Sequence, residues 1–305
     1  MDEQSLEDLL ALIEVRNITL AARRRNLSQP AYSRRLQAIE AQHGVGLVDR
    51  SVRPARPTAV LEANREEIKS TLAGLKRLRE NIITGPGNTQ DITIATVQAL
   101  ASRLLPAALG KIRGDLGQHR VRLRAGNHNQ SFQMLMTEEV LLMLAYETSG
   151  RPVIGPSDLV EKTMVARDSL VPVCSPELTS SLMAISPGEH RIPLIDYPRD
   201  NFLGMVLLDD VLAHTPHQFS HDITAGLTNA VLGFVRCGFG IAWLPHSLVA
   251  DNVARKEMDI LKGPLFPVAG MNISMLQLRT KATRKMQPLW AALAEAIRTT
   301  IAPYD

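Results

Sequence analysis

The 305-residue chain is 45% hydrophobic and 21% charged, a balance that excludes intrinsic disorder and leaves room for two globular domains. Its longest strongly apolar run, residues 140–146, is far short of a membrane span, and the opening Met1-Asp2-Glu3-Gln4 is acidic where a secretory signal would be basic, so a cytoplasmic protein is expected. Cys174 and Cys237 lie too far apart in sequence for a redox pair or a zinc site, and the net charge of +3 conceals an uneven distribution.

Between residues 16 and 56, nine arginines meet only Glu40 and Asp49, a local balance of +7 that suits a polyanion. Leu6, Leu9, Leu10, Ile13 and Val15 recur at near-helical spacing and predict a first helix ending near Asn17. Thr19 is placed to cap a second helix through residues 21–25. Ser28 then reads as an N-cap and Pro30 fits the first helical turn. A third helix over 29–43, with Tyr32, Leu36 and Ile39 inward, stops at Gly44.

Helix, tight turn and capped helix is the grammar of a helix-turn-helix, whose second helix turns its N-terminal residues toward base edges in the major groove. Here those residues are Gln29, Ser33 and Arg34. Glutamine pairs bidentately with adenine and arginine with guanine, whereas a serine suits a phosphate or a nearby base. The basic, proline-punctuated segment 47–58 reads as a β wing offering Arg50, Arg53 and Arg56 to the DNA backbone or minor groove.

The string Ser28-Gln29-Pro30-Ala31-Tyr32-Ser33-Arg34-Arg35-Leu36, followed by Gly44-Val45-Gly46-Leu47-Val48-Asp49-Arg50, resembles the signature of the LysR-type transcriptional regulators. The resemblance implies a winged helix-turn-helix with Ser28, Gln29, Pro30, Ser33 and Arg34 at the DNA and Arg50 and Arg53 in the wing. Two positions depart from the pattern: Val48 replaces a usual phenylalanine and Arg25 a usual leucine, Arg25 reading as a phosphate contact or a solvent-facing residue.

Leu61, Ile68, Leu75 and Ile82 repeat every seventh residue, with Leu72 and Leu78 beside them and Glu66, Glu67, Lys76 and Arg79 elsewhere on the helix. Such a helix needs a partner, and in the resembling family it pairs two subunits, implying an inverted-repeat operator. Gly85-Pro86-Gly87-Asn88 reads as a hinge. Beyond it strands and helices alternate, with strands expected at 92–96, 121–124, 141–145, 170–174, 194–196 and 240–244 and helices at 100–112 and 288–301. The Gly238-Phe239-Gly240 turn before the last of these strands reads as structural.

The resemblance covers the whole chain. It implies an all-α winged helix-turn-helix (1–58), a long dimerisation helix (59–87) and an α/β periplasmic-binding-protein-like effector domain (88–305) of two subdomains, 90–165 with 266–305 and 166–265. The segments Val171-Pro172-Val173-Cys174 and Leu194-Ile195-Asp196-Tyr197-Pro198-Arg199-Asp200-Asn201-Phe202, taken with Arg25, are most similar to the family's hypochlorite-responsive branch. That branch implies an oxidative-stress response through methionine oxidation. Its sensing methionines fall on Ile112, Leu203 and Leu227 here, leaving Met134, Met136, Met143, Met205 and Cys174 as redox candidates. The alternative signal is a small, anionic effector in the cleft, near Thr96, Gln98, Ser102, Asn201 and Thr224.

The expected partners are double-stranded DNA, a second copy through residues 59–84 with assembly to tetramers or larger, RNA polymerase and a small-molecule effector, but no membrane. Neither a cofactor nor a catalytic centre is expected, since no nucleophile elbow, P-loop or dinucleotide fingerprint is present. His214, His217 and His221 have metal-like spacing, but Pro216 interrupts the helix that would align them, so they read as surface histidines rather than a metal site.

Overall fold

A computed structural model describes residues 1–52, 54–84, 91–153, 155–184, 191–216, 218–263 and 265–301. The chain divides into two compact units, Met1–Asn88 and Thr89–Asp305. The hinge segment Gly85-Pro86-Gly87-Asn88, the wing residue Arg53, the middle histidine His217 and the side chains of Glu66 and Lys76 lie outside the described set.

The first unit packs α1 (Glu3–Val15), α2 (Ile18–Arg24) and α3 (Gln29–His43) around Leu9, Leu12, Ile13, Ala21, Tyr32, Leu36 and Ile39. Its helix boundaries are written in caps. Asp2 accepts the Ser5 N–H at 2.8 Å, Ser28 accepts the Ala31 N–H at 3.4 Å, and Gly44 closes α3 with a left-handed φ of 66°. The second helix is capped by Asn17, which accepts the Leu20 N–H at 3.1 Å, and not by Thr19, which lies inside its first turn.

A buried carboxylate organises this core. Asp8 is fully buried; Arg25 Nε donates to its Oδ1 at 2.7 Å and Arg35 Nε pairs with its Oδ2 at 2.8 Å. The same residue's main-chain carbonyl accepts the Tyr32 hydroxyl at 2.5 Å. Arg25 therefore spans α1 through Asp8 and Glu7 rather than reaching for a phosphate or solvent. Burial opposes its charge, but the bonds to Asp8 and Glu7 outweigh that and lift its pKa.

The wing follows as β1 (Val48–Asp49) antiparallel to β2 (Arg56–Pro57), then α4 (Ala59–Ala63) and α5 (Arg65–Thr84). Val48, replacing the usual phenylalanine, is buried against this core. The seven-residue repeat is not one unbroken helix, because the helical run is interrupted at Asn64. Nor are its members equivalent. Leu61 and Ile68 are buried in the first unit's own core, whereas Leu75, Leu78 and Ile82 are 38%, 56% and 72% exposed.

In the second unit, β3 (Ile92–Thr96) leads into a π-helical segment Leu100–Leu104 and α6 (Leu105–Lys111), then β4 (Val121–Ala125), α7 (His128–Met136) and β5 (Leu142–Glu147). The long β6 (Val160–Cys174) precedes α8 (Pro176–Met183), β7 (Arg191–Asp196) and α9 (Phe202–Val206), which continues through helical turns to His214. Next come β8 (Gln218–Thr224), α10 (Thr228–Arg236), β9 (Ala242–Pro245), α11 (His246–Ala254), β10 (Asp259–Ile260), β11 (Ala269–Leu278), α12 (Lys281–Lys285) and α13 (Gln287–Thr300).

Strand β6 is where the structure departs most from the sequence pattern: the expected 170–174 is only its last third. Its first part pairs antiparallel with β11, from Val160↔Leu278 to Leu170↔Ala269, and its end pairs with β9 and β10. Beyond β11 the order runs β5, β3, β4; beyond β9, parallel β7 and β8 attach through a bridge from Leu194 to Ile241. At Gly240, with φ 151°, a Cβ would run into the Pro193 carbonyl, so that bridge depends on glycine. Side chains alternate across β5: Leu142, Leu144 and Tyr146 enter the main core, and Met143 and Ala145 enter a smaller one under α7.

Polar clasps tie segments of this unit that are distant in sequence. Arg103 donates to both Asp251 oxygens, at 2.7 and 2.5 Å, and to the Ser247 carbonyl at 2.6 Å. Arg151 pairs with Asp209 and Asp210. Within β6, buried Asp168 accepts the Tyr146 hydroxyl at 2.9 Å and the Ser247 hydroxyl at 2.5 Å.

Replacing Asp8 by asparagine should destabilise the first unit by ~2–3 kcal/mol, discounted because both arginine ends are partly solvated. Urea unfolding followed at amides of residues 3–43 checks this, and a change under 0.5 kcal/mol would remove Asp8 as the organising group.

Candidate functional site

Two surfaces concentrate chemistry, one in each unit. On α3, the face opposite Tyr32, Leu36 and Ile39 presents Gln29, Pro30 and Arg34 to solvent with Ser33 half-buried. The Ser28 hydroxyl is spent on the helix cap. The local charge excess is smaller than the count of arginines suggests, because Arg16, Arg24, Arg25, Arg35 and Arg50 are paired with Glu62, Glu14, Glu7 and Asp8, Asp8, and Glu40. Among the described residues, Arg23, Arg34 and Arg56 form no ion pair and are exposed, which leaves them for an external anion.

Glu40 fixes the wing to α3. Its Oε1 accepts the Leu47 N–H at 2.8 Å and the Val48 N–H at 3.0 Å, and Arg50 closes on its Oε2 at 2.9 Å. Burial works against the carboxylate, but Arg50 and the two amides prevail and hold its pKa below the ordinary carboxylate value. Arg50 is thus a strut as well as a wing charge.

In the second unit, a cavity of about 300 Å³ opens at the C-terminal ends of β3 and β4, against the N-termini of α7, α9 and α10. None of its lining residues is charged. Gln98 and Asn201 line it; Asn201 is engaged, accepting the Leu203 N–H at 2.9 Å and donating to the Gly226 carbonyl at 3.3 Å. Gln98 Oε1 is buried without a partner among the described residues. Thr96 is fully buried, Ser102 turns its hydroxyl back to the Gln98 carbonyl at 2.7 Å and Thr224 is exposed on β8, so none of these three lines the cavity.

His128, which the sequence reading missed, also lines the cavity, as does Thr228. His128 Nε2 lies 2.7 Å from the Tyr146 carbonyl, and its ring stacks on Phe202 with centroids 4.4 Å apart. Burial, only partly offset by that carbonyl, holds the imidazole pKa below its usual value. Asn127-His128-Asn129-Gln130, directly after β4, carried a legible signal: Asn127 and Gln130 form a reciprocal capping box that marks the start of α7.

Of the redox candidates, Cys174 is fully buried, its thiol pushed up by burial, while Met134, Met136 and Met205 are half-buried against core clusters and Met143 is fully buried. His221 pairs with Asp196 at 2.6 Å, and among the described residues no group of three ligating side chains could hold a metal. Among the same residues, no helix is long and apolar enough to cross a membrane.

The family model described as "Bacterial regulatory helix-turn-helix protein, lysR family" matches residues 4–60, and that described as "LysR substrate binding domain" matches residues 86–298. The HTH-type transcriptional regulator YjiE of Escherichia coli is 26% identical over 266 residues, 84% of this chain and 82% of that protein. The full-length structure of HypT, a hypochlorite-specific LysR-type regulator from Salmonella typhimurium, is similar with a TM-score of 0.57 at 22% identity, covering 97% of this chain and 99% of that one. DarR of Vibrio fischeri, solved in complex with DNA, is similar with a TM-score of 0.55 at 22% identity over 96% of this chain and 98% of that one.

Because Glu40 has a depressed pKa in the folded state, its contribution is complete above its ordinary value of 4.5 and is lost as pH falls through the folded value. The Leu47 and Val48 amide shifts should report that acid step. Glu40→Gln should abolish it and cost about 1 kcal/mol at neutral pH; an unchanged step would assign it to another group.

Proposed function

The chain belongs to the LysR family of transcriptional regulators, whose members bind DNA and act as oligomers with small-molecule effectors, and from that premise we propose how this member does so. The exposed N-terminal face of α3 enters the major groove, with Gln29 and Arg34 reading base edges and Ser33 at a phosphate or a nearby base. Pro30 packs at the groove edge beside them. Arg50, Arg53 and Arg56 serve the backbone or minor groove from the wing. The observation that carries this reading is the unpaired, exposed Arg34 on a helix whose opposite face is locked into a core built on Asp8. The chain is a regulator and not an enzyme.

The exposed stripe Leu75, Leu78 and Ile82 on α5 supports pairing with a second copy, which would place two recognition helices on one two-fold axis over an inverted repeat. The switch is a small molecule in the cavity of the second unit, between a subdomain of residues 90–165 with 266–305 and one of 166–265, with β6 and β11 as the crossings. Oxidant sensing rests on the likeness to HypT and is the weaker reading. The matched sensing positions hold Ile112, Leu203 and Leu227, and the half-buried Met134, Met136 and Met205 pack as core filler.

Arg34→Ala should weaken operator binding by ~1–3 kcal/mol while barely affecting random DNA, whereas Arg56→Ala should weaken both alike and flatten the salt dependence. Equal losses on both DNAs from Arg34→Ala would sink the assignment of base reading. Leu78→Glu should shift the sedimentation velocity profile toward monomer; a profile unchanged at micromolar concentration would place the subunit contact elsewhere.

A further inference from the structure

The lining of the cavity contains donors that await a partner. The N-terminus of α10 has no side-chain cap, and Thr228, its first residue, lines the cavity and is only 4% exposed. Its hydroxyl makes no hydrogen bond among the described residues. An uncapped helix N-terminus beside a buried free hydroxyl suits an anion. No arginine or lysine lines the cavity, so a second negative charge on the same ligand would be left without a counter-charge.

His128 supplies the missing charge conditionally. A carbonyl oxygen only accepts, so the Nε2 held 2.7 Å from the Tyr146 carbonyl carries the hydrogen, and Nδ1 of the neutral ring is a bare acceptor. Nδ1 has no partner among the described residues. The ring sits at the N-terminus of α7, stacked on Phe202, in a lining where the only other titratable side chain is Tyr146.

The surrounding elements offer no competing charge. Tyr146 gives its hydroxyl to Asp168, Glu147 is taken by Ser274 and Lys162, Arg122 pairs with Asp91, and Arg103 pairs with Asp251. Arg124, Arg199 and Asp200 are exposed and outside the lining, and neither α9 nor the first turn of α10 carries a titratable residue. We propose that the cavity takes a small organic monoanion at the N-terminus of α10 and that His128 takes up one solvent proton on Nδ1 as the anion enters, so that effector binding is coupled to pH.

This proposal rests on the cavity being the effector site, and it adds the residue that couples anion binding to a proton. Burial holds the His128 imidazole pKa below its usual value, and the positive end of α7 acts in the same direction. A bound anion raises the imidazole pKa, so affinity is highest below both values. Between the two pKa values it falls about tenfold per pH unit, and it levels off above both.

The experiment uses the full chain with benzoate as the monoanion and benzamide as its uncharged counterpart, by calorimetry between pH 6 and 8 in two buffers of different ionisation enthalpy. Proton uptake approaching one per benzoate, with affinity falling about tenfold per unit over part of that range, supports the proposal. His128→Gln, which retains a donor for the Tyr146 carbonyl, should erase both effects and leave benzamide binding intact. Thr228→Val should weaken benzoate more than benzamide. Benzoate binding without proton uptake, or benzamide binding alone, would overturn the proposal and leave the cavity as the effector site. If neither compound shifts the amide signals of Gln98 or Thr228, the cavity reading itself fails.

Discussion

The second unit hangs on one antiparallel ladder, the pairing of β6 with β11 from Val160↔Leu278 to Leu170↔Ala269. Strands β9 and β10 attach to β6 and β5 to β11, with β3 and β4 following outward from β5 and β7 and β8 from β9. Asp168 sits where the ribbon changes partners and gathers Tyr146 from β5 and Ser247 from α11 onto one carboxylate. Tyr146 is also the residue whose carbonyl holds His128. The cavity lining is thus bonded through His128 and Tyr146 to Asp168 of β6, and the ion pairs Arg103–Asp251 and Arg151–Asp209 join other segments of the unit.

The first unit follows the same economy on a smaller scale. A fully buried carboxylate is costly unless its oxygens are matched. Asp8 is offset by Arg25, bonded to its Oδ1, and by Arg35, ion-paired 2.8 Å from its Oδ2, two of the arginines that make the sequence look so basic. Charge that counts toward a polyanion in the sequence is here structural, and Glu40 does the same with Arg50. The unpaired charge facing outward is Arg23 on α2, Arg34 on α3 and Arg56 in the wing, so on this surface shape and specific donors weigh more than bulk charge.

Local signals carried much of this architecture in the sequence. Ser28, Pro30 and Gly44 mark α3 unambiguously because caps and breakers act within one turn, and the inward set Tyr32, Leu36 and Ile39 follows from period alone. What was not legible depends on contacts distant in sequence. Nothing near Arg25 announces Asp8, 17 residues away. The seven-residue repeat does not reveal that Leu61 and Ile68 serve one core and Leu75 onward another surface. Most of β6 was missed because the charged residues Glu161, Lys162 and Arg167 break its apolar run, and β11 because the uncharged polar residues Asn272, Ser274 and Gln277 interrupt its own. In the cavity, Gln98, Asn201 and Thr228 lie in segments that follow strand ends and were within reach, whereas His128 enters through a helix start whose convergence with them only the fold creates.

The central claim is that a dimer of this chain reads two half-sites through α3. Hydroxyl-radical footprinting of the full chain on the DNA upstream of its own gene tests it most directly. The account predicts two protected half-sites on one face of the duplex, centred an integral number of helical turns apart, and loss of sharp protection in both when Arg34 is replaced by alanine. A single protected half-site, or protection that does not depend on sequence, would contradict it.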